Sequence, residues 1–108
     1  MTAGDEGVGI VLNFGGYNAT GNTVTLLAAP GAPGRTGTAL SLTPVTISNG
    51  GLIGGVTYPI VTGGYGIYVT TGEDIQEGGA WQLQSQVVTT EGQTYTSPPA
   101  PIFVYPRL

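Results

Sequence analysis

The residues best suited to chemistry in this chain are three carboxylates that fall within five positions. They are Glu73, Asp74 and Glu77, and the only tryptophan, Trp81, follows four residues after the last of them. Oxygen ligands of this kind hold Ca²⁺ in proteins, and two carboxylates facing each other across a cleft can hydrolyse a glycosidic bond. The stretch therefore raises two chemical hypotheses, a calcium site and an acid–base site.

The spacing of these acids favours a structural turn over either kind of site. It does not match the ligand positions of an EF-hand loop, and glycines flank the cluster at Gly72 and at Gly78-Gly79. Acids directly after Gly72 suit the start of a short helical turn, where the helix dipole stabilises negative charge. The remaining acids, Asp5, Glu6 and Glu91, are distant in sequence, and nothing in the pattern brings them near. The sequence thus predicts no catalytic residue and no metal ligand.

The composition removes most other enzyme chemistry. The 108 residues contain no His, no Cys and no Lys, so the usual general base and the thiolate and amine nucleophiles are missing. Ser and Thr hydroxyls remain, but they lack a base to activate them. The glycine-rich stretch at 63–68 has no Lys and no strand–loop–helix context, so it predicts a tight turn and not a phosphate loop. We predict that the protein is not an enzyme and uses no cofactor or small-molecule substrate.

The charge balance argues against nucleic acids and membranes as partners. The net charge is −4, and the only cations are Arg35 and Arg107, which cannot form the basic patch that a phosphate backbone requires. The N-terminus opens with acidic residues and a short apolar run, so we expect no signal peptide. No apolar run reaches the roughly 18 residues of a transmembrane helix.

Charged residues make up only 7% of the chain, whereas about a quarter is usual for soluble domains. The polarity comes instead from Thr, Gln, Ser and Asn. A surface poor in charge favours contact with other proteins, although a Thr-rich sheet exterior would give the same composition. Both interpretations stay open on composition alone.

Apolar residues recur with a period of two, which predicts β-strands and no helix of ordinary length. The clearest strand is 80–90, where Trp81, Leu83 and Val87 share a face with Ser85 and three glutamines share the other. Trp81 is therefore predicted to lie in the core. The other predicted strands are 8–14, 23–28, 39–48, 51–61, 65–70 and an interrupted strand that starts at 93–97 and finishes at 102–106.

Local features refine these strands. Pro44 and Pro59 lack backbone N–H donors, so the strands that contain them are predicted to be edge or bulged strands. Glu91-Gly92 supplies the glycine for a two-residue hairpin link. Six or seven short strands predict one all-β domain over residues 1–108, an antiparallel immunoglobulin-like β-sandwich with extended N- and C-terminal ends. A small barrel is the alternative.

Candidate contact residues come from the loops, the ends and the tyrosines. Arg35 lies in a Pro/Gly-rich loop and suits bidentate binding of a carboxylate, or else simply keeps the loop soluble. Tyr68 is out of phase with its apolar neighbours, and so is Tyr105, which favours exposure of both. We predict Arg35, Tyr68, Tyr105 and Arg107 as protein-interface residues. The segments predicted to make contacts are 1–7, 30–37 and 98–108.

Residues 65–104 also carry a family resemblance, in four consecutive parts. The parts are a turn with Glu73, Asp74, Ile75 and Gly78-Gly79, a strand from Trp81 to Val88, a hairpin with Glu91, Gly92, Gln93 and Tyr95, and a Ser-Pro break from Ser97 to Pro101. This order resembles the immunoglobulin-like domain of phage baseplate upper proteins and related small phage tail proteins. Asn18 to Gly21 stand where that family often has Asp-Leu-Thr-Gly, but here the apolar residue is missing.

The resemblance implies a virion structural protein that works in multiple copies and is assembled in the host cytoplasm. It implies an adaptor of the tail, baseplate or neck that contacts other virion proteins or copies of itself. It also implies that Ile75 plugs the end of the sandwich, while Glu73 and Asp74 lie in the turn. The alternatives are a capsid decoration (cement) protein on the phage head and a carbohydrate-binding or adhesin module with sugar-stacking tyrosines.

Overall fold

A computed structural model of the chain describes residues 1–31 and 40–106. Within these ranges the regular structure is entirely β, as the period of two predicts. The ten strands are β1 Gly9–Asn13, β2 Thr23–Pro30, β3 Leu40–Leu42, β4 Thr46–Ser48, β5 Gly51–Ile53, β6 Val56–Tyr58, β7 Tyr65–Val69, β8 Gly79–Val88, β9 Thr94–Thr96 and β10 Ala100–Val104.

The strands form two facing sheets and one small hairpin. The first sheet has the order β1-β7-β4, and the second has the order β10-β8-β2-β3, with β9 also paired to β8. Every ladder between named strands is antiparallel. An immunoglobulin-like sandwich has strands A-B-E-D in one sheet and C-F-G in the other. β1, β7 and β4 take the places of B, E and D, so the predicted fold class is confirmed.

β9 and β10 are two halves of one edge strand, broken at Ser97-Pro98-Pro99. β9 pairs Thr96 with Gln86, and β10 pairs Ala100 with Leu83, so three residues on this side oppose two on β8. Such an extra residue is a β-bulge. At the bulge, the Ser97 hydroxyl accepts a hydrogen bond from the Ser85 N–H at 2.9 Å, so this backbone group of β8 remains bonded. Counting the two halves as one, the sandwich has the seven strands expected from the sequence.

The link between β8 and β9 is longer than predicted. The Thr89 N–H donates to the Gln93 carbonyl at 2.8 Å, and the Gly92 N–H donates to the Thr89 carbonyl at 3.0 Å. Three residues, 90–92, therefore form the hairpin loop, and Gly92 takes a positive φ of 87°. The predicted two-residue link is wrong, because Thr90 is needed to complete the turn before the glycine.

The predicted strand at 39–48 is in fact two strands in different sheets. β3 ends before a cis Thr43-Pro44 peptide bond, and β4 begins just after it. β3 pairs with β2 in the second sheet, while β4 pairs with β7 in the first. Pro44 thus marks the point at which the chain crosses between sheets.

The core fills the space between the two sheets. Trp81 is 4% exposed, which confirms its predicted place in the core, and its indole N–H donates to the Glu77 carbonyl at 2.9 Å. Leu26, Ile75 and Val104 have the largest fully buried side chains among the described residues. Ile75, to which the family resemblance assigns a plug, is 1% exposed.

The apolar face of β7 points away from the core, and this overturns the exposure expected for Tyr68. Tyr68 is 3% exposed and belongs to the central cluster, whereas Val69 is exposed. Tyr65 lies on the outer face but is covered by the β5–β6 hairpin, where the ring of Tyr58 lies 5.4 Å from its own. The prediction failed because β7 carries large apolar side chains on both faces. Tyr68 is therefore a core residue and not a surface contact residue.

The N-terminal segment folds back onto the sandwich and does not extend from it as predicted. Thr2 forms a parallel bridge with Tyr105, and the Ala3 N–H donates to the Tyr105 carbonyl at 2.8 Å. Ala3 is buried in the core. The Asp5 carboxylate accepts a hydrogen bond from the Thr2 N–H at 2.8 Å, which holds the first turn of chain in place.

Candidate binding groove

A continuous groove runs along the side of the sandwich where the open edge of β1 faces the broken strand β9–β10. It has two compartments, with volumes of about 590 and 430 Å³. Both compartments are lined by Asn13, Ser85, Ser97 and Pro98, which join them. The groove exists because no strand of the described chain covers β1 on this side.

The smaller compartment has an apolar floor between the sheets. Ile10 and Leu12 line it from β1, while Leu83 and Ile102 line it from β8 and β10. Ile10, Leu12 and Ile102 are only partly buried and pack against the central core cluster. This compartment is thus an uncovered margin of the hydrophobic core.

The larger compartment is lined by aromatic rings. Tyr17 and Tyr95 lie with their ring centroids 6.4 Å apart at an angle of 52°, next to Phe14 and Pro98. The two tyrosines are 43% and 54% exposed. The Tyr17 hydroxyl accepts a hydrogen bond from the Asn22 side chain. The rings therefore offer an exposed apolar surface at the end of the groove.

None of the residues that line either compartment carries a charge. The polar side chains of the lining carry the amides of Asn13 and Gln84 and the hydroxyls of Tyr17, Ser85, Tyr95, Thr96 and Ser97. Such a lining suits neutral peptide or sugar groups and gives no counter-charge for an ionic ligand.

The acidic stretch at 73–77 is a structural turn, as its spacing predicts. The Asp74 carboxylate accepts hydrogen bonds from the Tyr68 hydroxyl at 2.6 Å and from the Thr71 N–H at 2.8 Å. Glu77 contributes its carbonyl oxygen to the Trp81 indole. In the described parts of the chain, no three His, Cys, Asp or Glu side chains come together as a metal ligand set.

The bond between Asp74 and Tyr68 shifts the pKa of both groups. Burial alone would raise the pKa of Asp74, but the hydrogen bonds from Tyr68 and Thr71 outweigh it and lower that pKa below its ordinary value. Burial, together with the Asp74 charge and hydrogen bond, raises the pKa of Tyr68 to about 12. Each group is therefore held in the protonation state that it has at neutral pH.

Replacing Tyr68 by phenylalanine should lower the free energy of unfolding by about 1–2 kcal/mol. The variant loses the hydroxyl that donates a hydrogen bond to the partly exposed Asp74 carboxylate. The expected free-energy loss lies between those typical of neutral hydrogen bonds and of hydrogen bonds to charged groups. Urea unfolding at neutral pH measures the change. Tyr95→Phe, which removes an exposed bond to Gln93, is the matched control and should change stability by less than about 0.5 kcal/mol. Equal effects of the two variants would contradict the structural role of Tyr68.

The same pair predicts how stability depends on pH. Because the pKa of Asp74 is lowered in the folded chain, its contribution is present above the ordinary aspartate pKa and is lost as the pH falls through the folded value. Because the pKa of Tyr68 is raised to about 12, stability falls by about 3 kcal/mol as the pH rises from about 10 to about 12. Only the natural chain has the Asp74–Tyr68 bond to lose, so the stability gap between it and Tyr68→Phe should narrow in both ranges. Parallel curves would contradict the assignment.

The predicted interface residues lie in different places. Tyr105 is 62% exposed, as expected, and its ring meets that of Phe103 edge-on at 5.2 Å. Tyr68 is buried, as described above. Arg35, Arg107 and most of the loop at 30–37 lie outside the described residues.

Further exposed apolar side chains lie in and beside the β5–β6 hairpin. Leu52 and Ile60 are each 75% exposed, and Val56 is 53% exposed. The predicted strand at 51–61 becomes this hairpin, because Gly54 and Gly55 both take positive φ values and turn the chain. The hairpin is a third uncharged surface, separate from the groove and from the Phe103–Tyr105 pair.

Sequence reasoning missed the groove. Its walls come from Asn13 and Phe14 at one end of the chain and from Tyr95 to Pro98 at the other, so no local pattern shows that they meet. The available signal was the surplus of tyrosines, which cannot all lie in the core of so small a domain.

No family model, no curated protein and no solved structure matches the chain at a significant level. No helix in the described ranges has the length and apolar character that crossing a bilayer requires.

Proposed function

We propose that this chain is a non-enzymatic structural subunit of a bacteriophage virion, an adaptor of the tail, baseplate or neck that acts in multiple copies. The assignment to a virion is supported by the family resemblance of residues 65–104. The assignment to protein contacts is supported by the surface of the molecule. Its partners in this proposal are other virion proteins or copies of itself.

The observation that carries the proposal is the presence of several uncharged apolar surfaces on one small domain. The groove, the Phe103–Tyr105 pair and the β5–β6 hairpin expose large apolar side chains on separate parts of the molecule. Exposed apolar patches on a soluble domain mark sites of contact with other molecules. Several such patches suit a subunit that touches more than one neighbour, as an adaptor does.

Electron microscopy of phage particles with a gold-labelled antibody against this chain tests the proposal. Label on the tail, baseplate or neck would support the adaptor. Label on the head would favour the alternative of a decoration protein. Particles without label, in a preparation where the antibody detects the free chain, would overturn a virion role.

Light scattering of the purified chain over a concentration series measures its solution mass, and thus the number of copies that associate. A stable ring or trimer would show that the symmetric assembly is encoded in this chain. A strict monomer would contradict self-assembly and would leave an adaptor that needs a different protein as its partner.

One observation favours carbohydrate binding as a second candidate. The Tyr17 and Tyr95 rings line a groove that also contains the Asn13 amide and the Ser97 hydroxyl, and aromatic faces beside polar groups suit sugar rings. A glycan array tests this idea. Binding that is lost in Tyr17→Ala and Tyr95→Ala, but kept in Tyr105→Ala, would support it. An array without any bound glycan would end it.

A further inference from the structure

We propose that the open edge of β1 accepts an extended, uncharged segment of a different polypeptide, which adds a fourth strand to the first sheet and fills the groove. This inference rests on the proposed function, because it names the kind of partner that the groove would hold.

The hydrogen-bonding pattern of β1 leaves every second residue unpaired on its outer side. The Thr70 N–H donates to the Val8 carbonyl at 3.0 Å, and the Phe14 N–H donates to the Gly64 carbonyl at 3.0 Å. In an antiparallel ladder every second residue forms hydrogen bonds with the partner strand. Counting from Val8 to Phe14 in this register, Ile10 and Leu12 are therefore also hydrogen-bonded to β7. The N–H and C=O groups of Gly9, Val11 and Asn13 therefore point away from β7, towards the open side.

No strand formed by residues 1–31 or 40–106 lies on this open side of β1. The first sheet holds the equivalents of strands B, E and D, and strand A of a complete immunoglobulin-like sheet would lie beside B. The described N-terminal segment does not take that place, because Thr2 pairs with Tyr105 at the edge of the other sheet. A row of unpaired backbone N–H and C=O groups can form hydrogen bonds with the backbone of another strand, which is how exposed sheet edges bind extended peptides.

The groove gives the added strand a place for its side chains. Alternate residues of a strand point to the same face, so every second side chain of the incoming segment would enter the compartment lined by Ile10, Leu83 and Ile102. That compartment is apolar and uncharged, which selects apolar side chains at those positions. A small sugar would leave the β1 backbone unpaired, so the edge favours a peptide.

The other sheet edges are less suitable for strand addition. On β9–β10, Pro98, Pro99 and Pro101 have no N–H groups to offer, and prolines protect sheet edges in this way. β3 and β4 each contribute three residues in the described part of the chain. β1 has five residues, none of them proline.

A displayed library of random peptides, about nine residues long to match an extended strand over the edge, is the probe. Peptides selected on the full chain are synthesised and titrated against three forms of it. Val11→Pro removes one outward N–H and leaves the bonds to β7 intact, since proline is tolerated on edge strands when its nitrogen faces solvent. Val11→Thr keeps the N–H and is the matched control.

We expect selected peptides to be uncharged, with apolar residues at alternate positions. Val11→Pro should weaken their binding about tenfold or more, because one hydrogen bond and the close approach of the strand are both lost. Val11→Thr should bind within about threefold of the natural chain, since the backbone edge is unchanged. Selected peptides that bind Val11→Pro as well as the natural chain would overturn the proposal.

Amide hydrogen exchange on the natural chain gives a second test that needs no variant. In the free chain the amides of Gly9, Val11 and Asn13 should exchange fast, while those of Ile10 and Leu12 are protected by β7. A bound peptide should protect the first three and leave the other two unchanged. Protection of these amides that grows with protein concentration, without peptide, would show that a second copy is the occupant and would overturn the proposal.

These outcomes separate this inference from the proposed function. Gold label on the tail together with no edge-dependent peptide would overturn the strand acceptor and leave the virion role intact. Edge-dependent peptide binding with no label on particles would support the strand acceptor and overturn the virion role.

Discussion

Replacing Trp81 by alanine should lower the free energy of unfolding by about 3–5 kcal/mol, the range measured for truncating large aromatic residues in protein cores. Trp81 is 4% exposed and belongs to the same cluster as Leu26, Ile75 and Val104. Its indole N–H also holds the turn at Glu77. The variant therefore loses core contacts and an anchor for the turn at once.

The loss is a large part of the stability of a domain of this size, which is commonly about 5–15 kcal/mol. Urea unfolding followed by circular dichroism measures it, since the only tryptophan is removed. Phe103→Ala on the neighbouring strand is the control, because its aromatic ring is 58% exposed, and it should cost less than about 1 kcal/mol. A loss below about 1.5 kcal/mol for Trp81→Ala would contradict the core described here.

Replacing Gly50 by alanine should destabilise the chain by about 2–5 kcal/mol, because two costs combine there. Gly50 has a positive φ of 92°, which L-residues rarely adopt. A Cβ would also meet the Pro59 carbonyl oxygen and the ring of Tyr65. That carbonyl cannot easily move away, because it accepts the Tyr65 hydroxyl at 2.9 Å.

The neighbouring glycine separates the two costs. Gly51 has nearly the same φ, 89°, but a Cβ there would meet only the Ile60 side chain, at an ordinary 3.6 Å. Gly51→Ala should therefore cost only the backbone strain, about 1–2 kcal/mol. Thermal or urea unfolding of both variants gives the difference, which reports the steric overlap alone. Equal losses would mean that the hairpin does not pack on Tyr65 as described.

The sequence was most informative where one face of a strand is buried and the other is not. β8 alternates cleanly, so its pattern predicted both the strand and the burial of Trp81. β7 has large apolar residues on both faces, since Tyr65 lies under the hairpin and Tyr68 points into the core. Alternation alone does not show which of two such faces is buried, and Tyr68 was therefore predicted to be exposed although it lies in the core.

Other features depend on contacts between distant parts of the chain. The crossing at Pro44 looks like a single strand in the sequence, because both halves are apolar and short. The groove joins Asn13 to Ser97 and Pro98, and it is open because none of the described strands lies on the outer side of β1. Composition indicated that uncharged surfaces exist, but only the topology shows where they lie.

The small β5–β6 hairpin has a consequence for how the molecule opens. Two strands of three residues are too short to be stable alone, and they belong to neither sheet of the sandwich. Their attachments include the tilted ring contact of Tyr58 with Tyr65, the hydrogen bond from the Tyr65 hydroxyl to the Pro59 carbonyl, and the backbone bond from Val61 to Asn49. Segments with so few contacts are the ones that detach locally while the rest of a protein stays folded. Within residues 1–31 and 40–106, a protease would therefore cleave first in this hairpin, and the nicked chain would keep both sheets paired around an intact core.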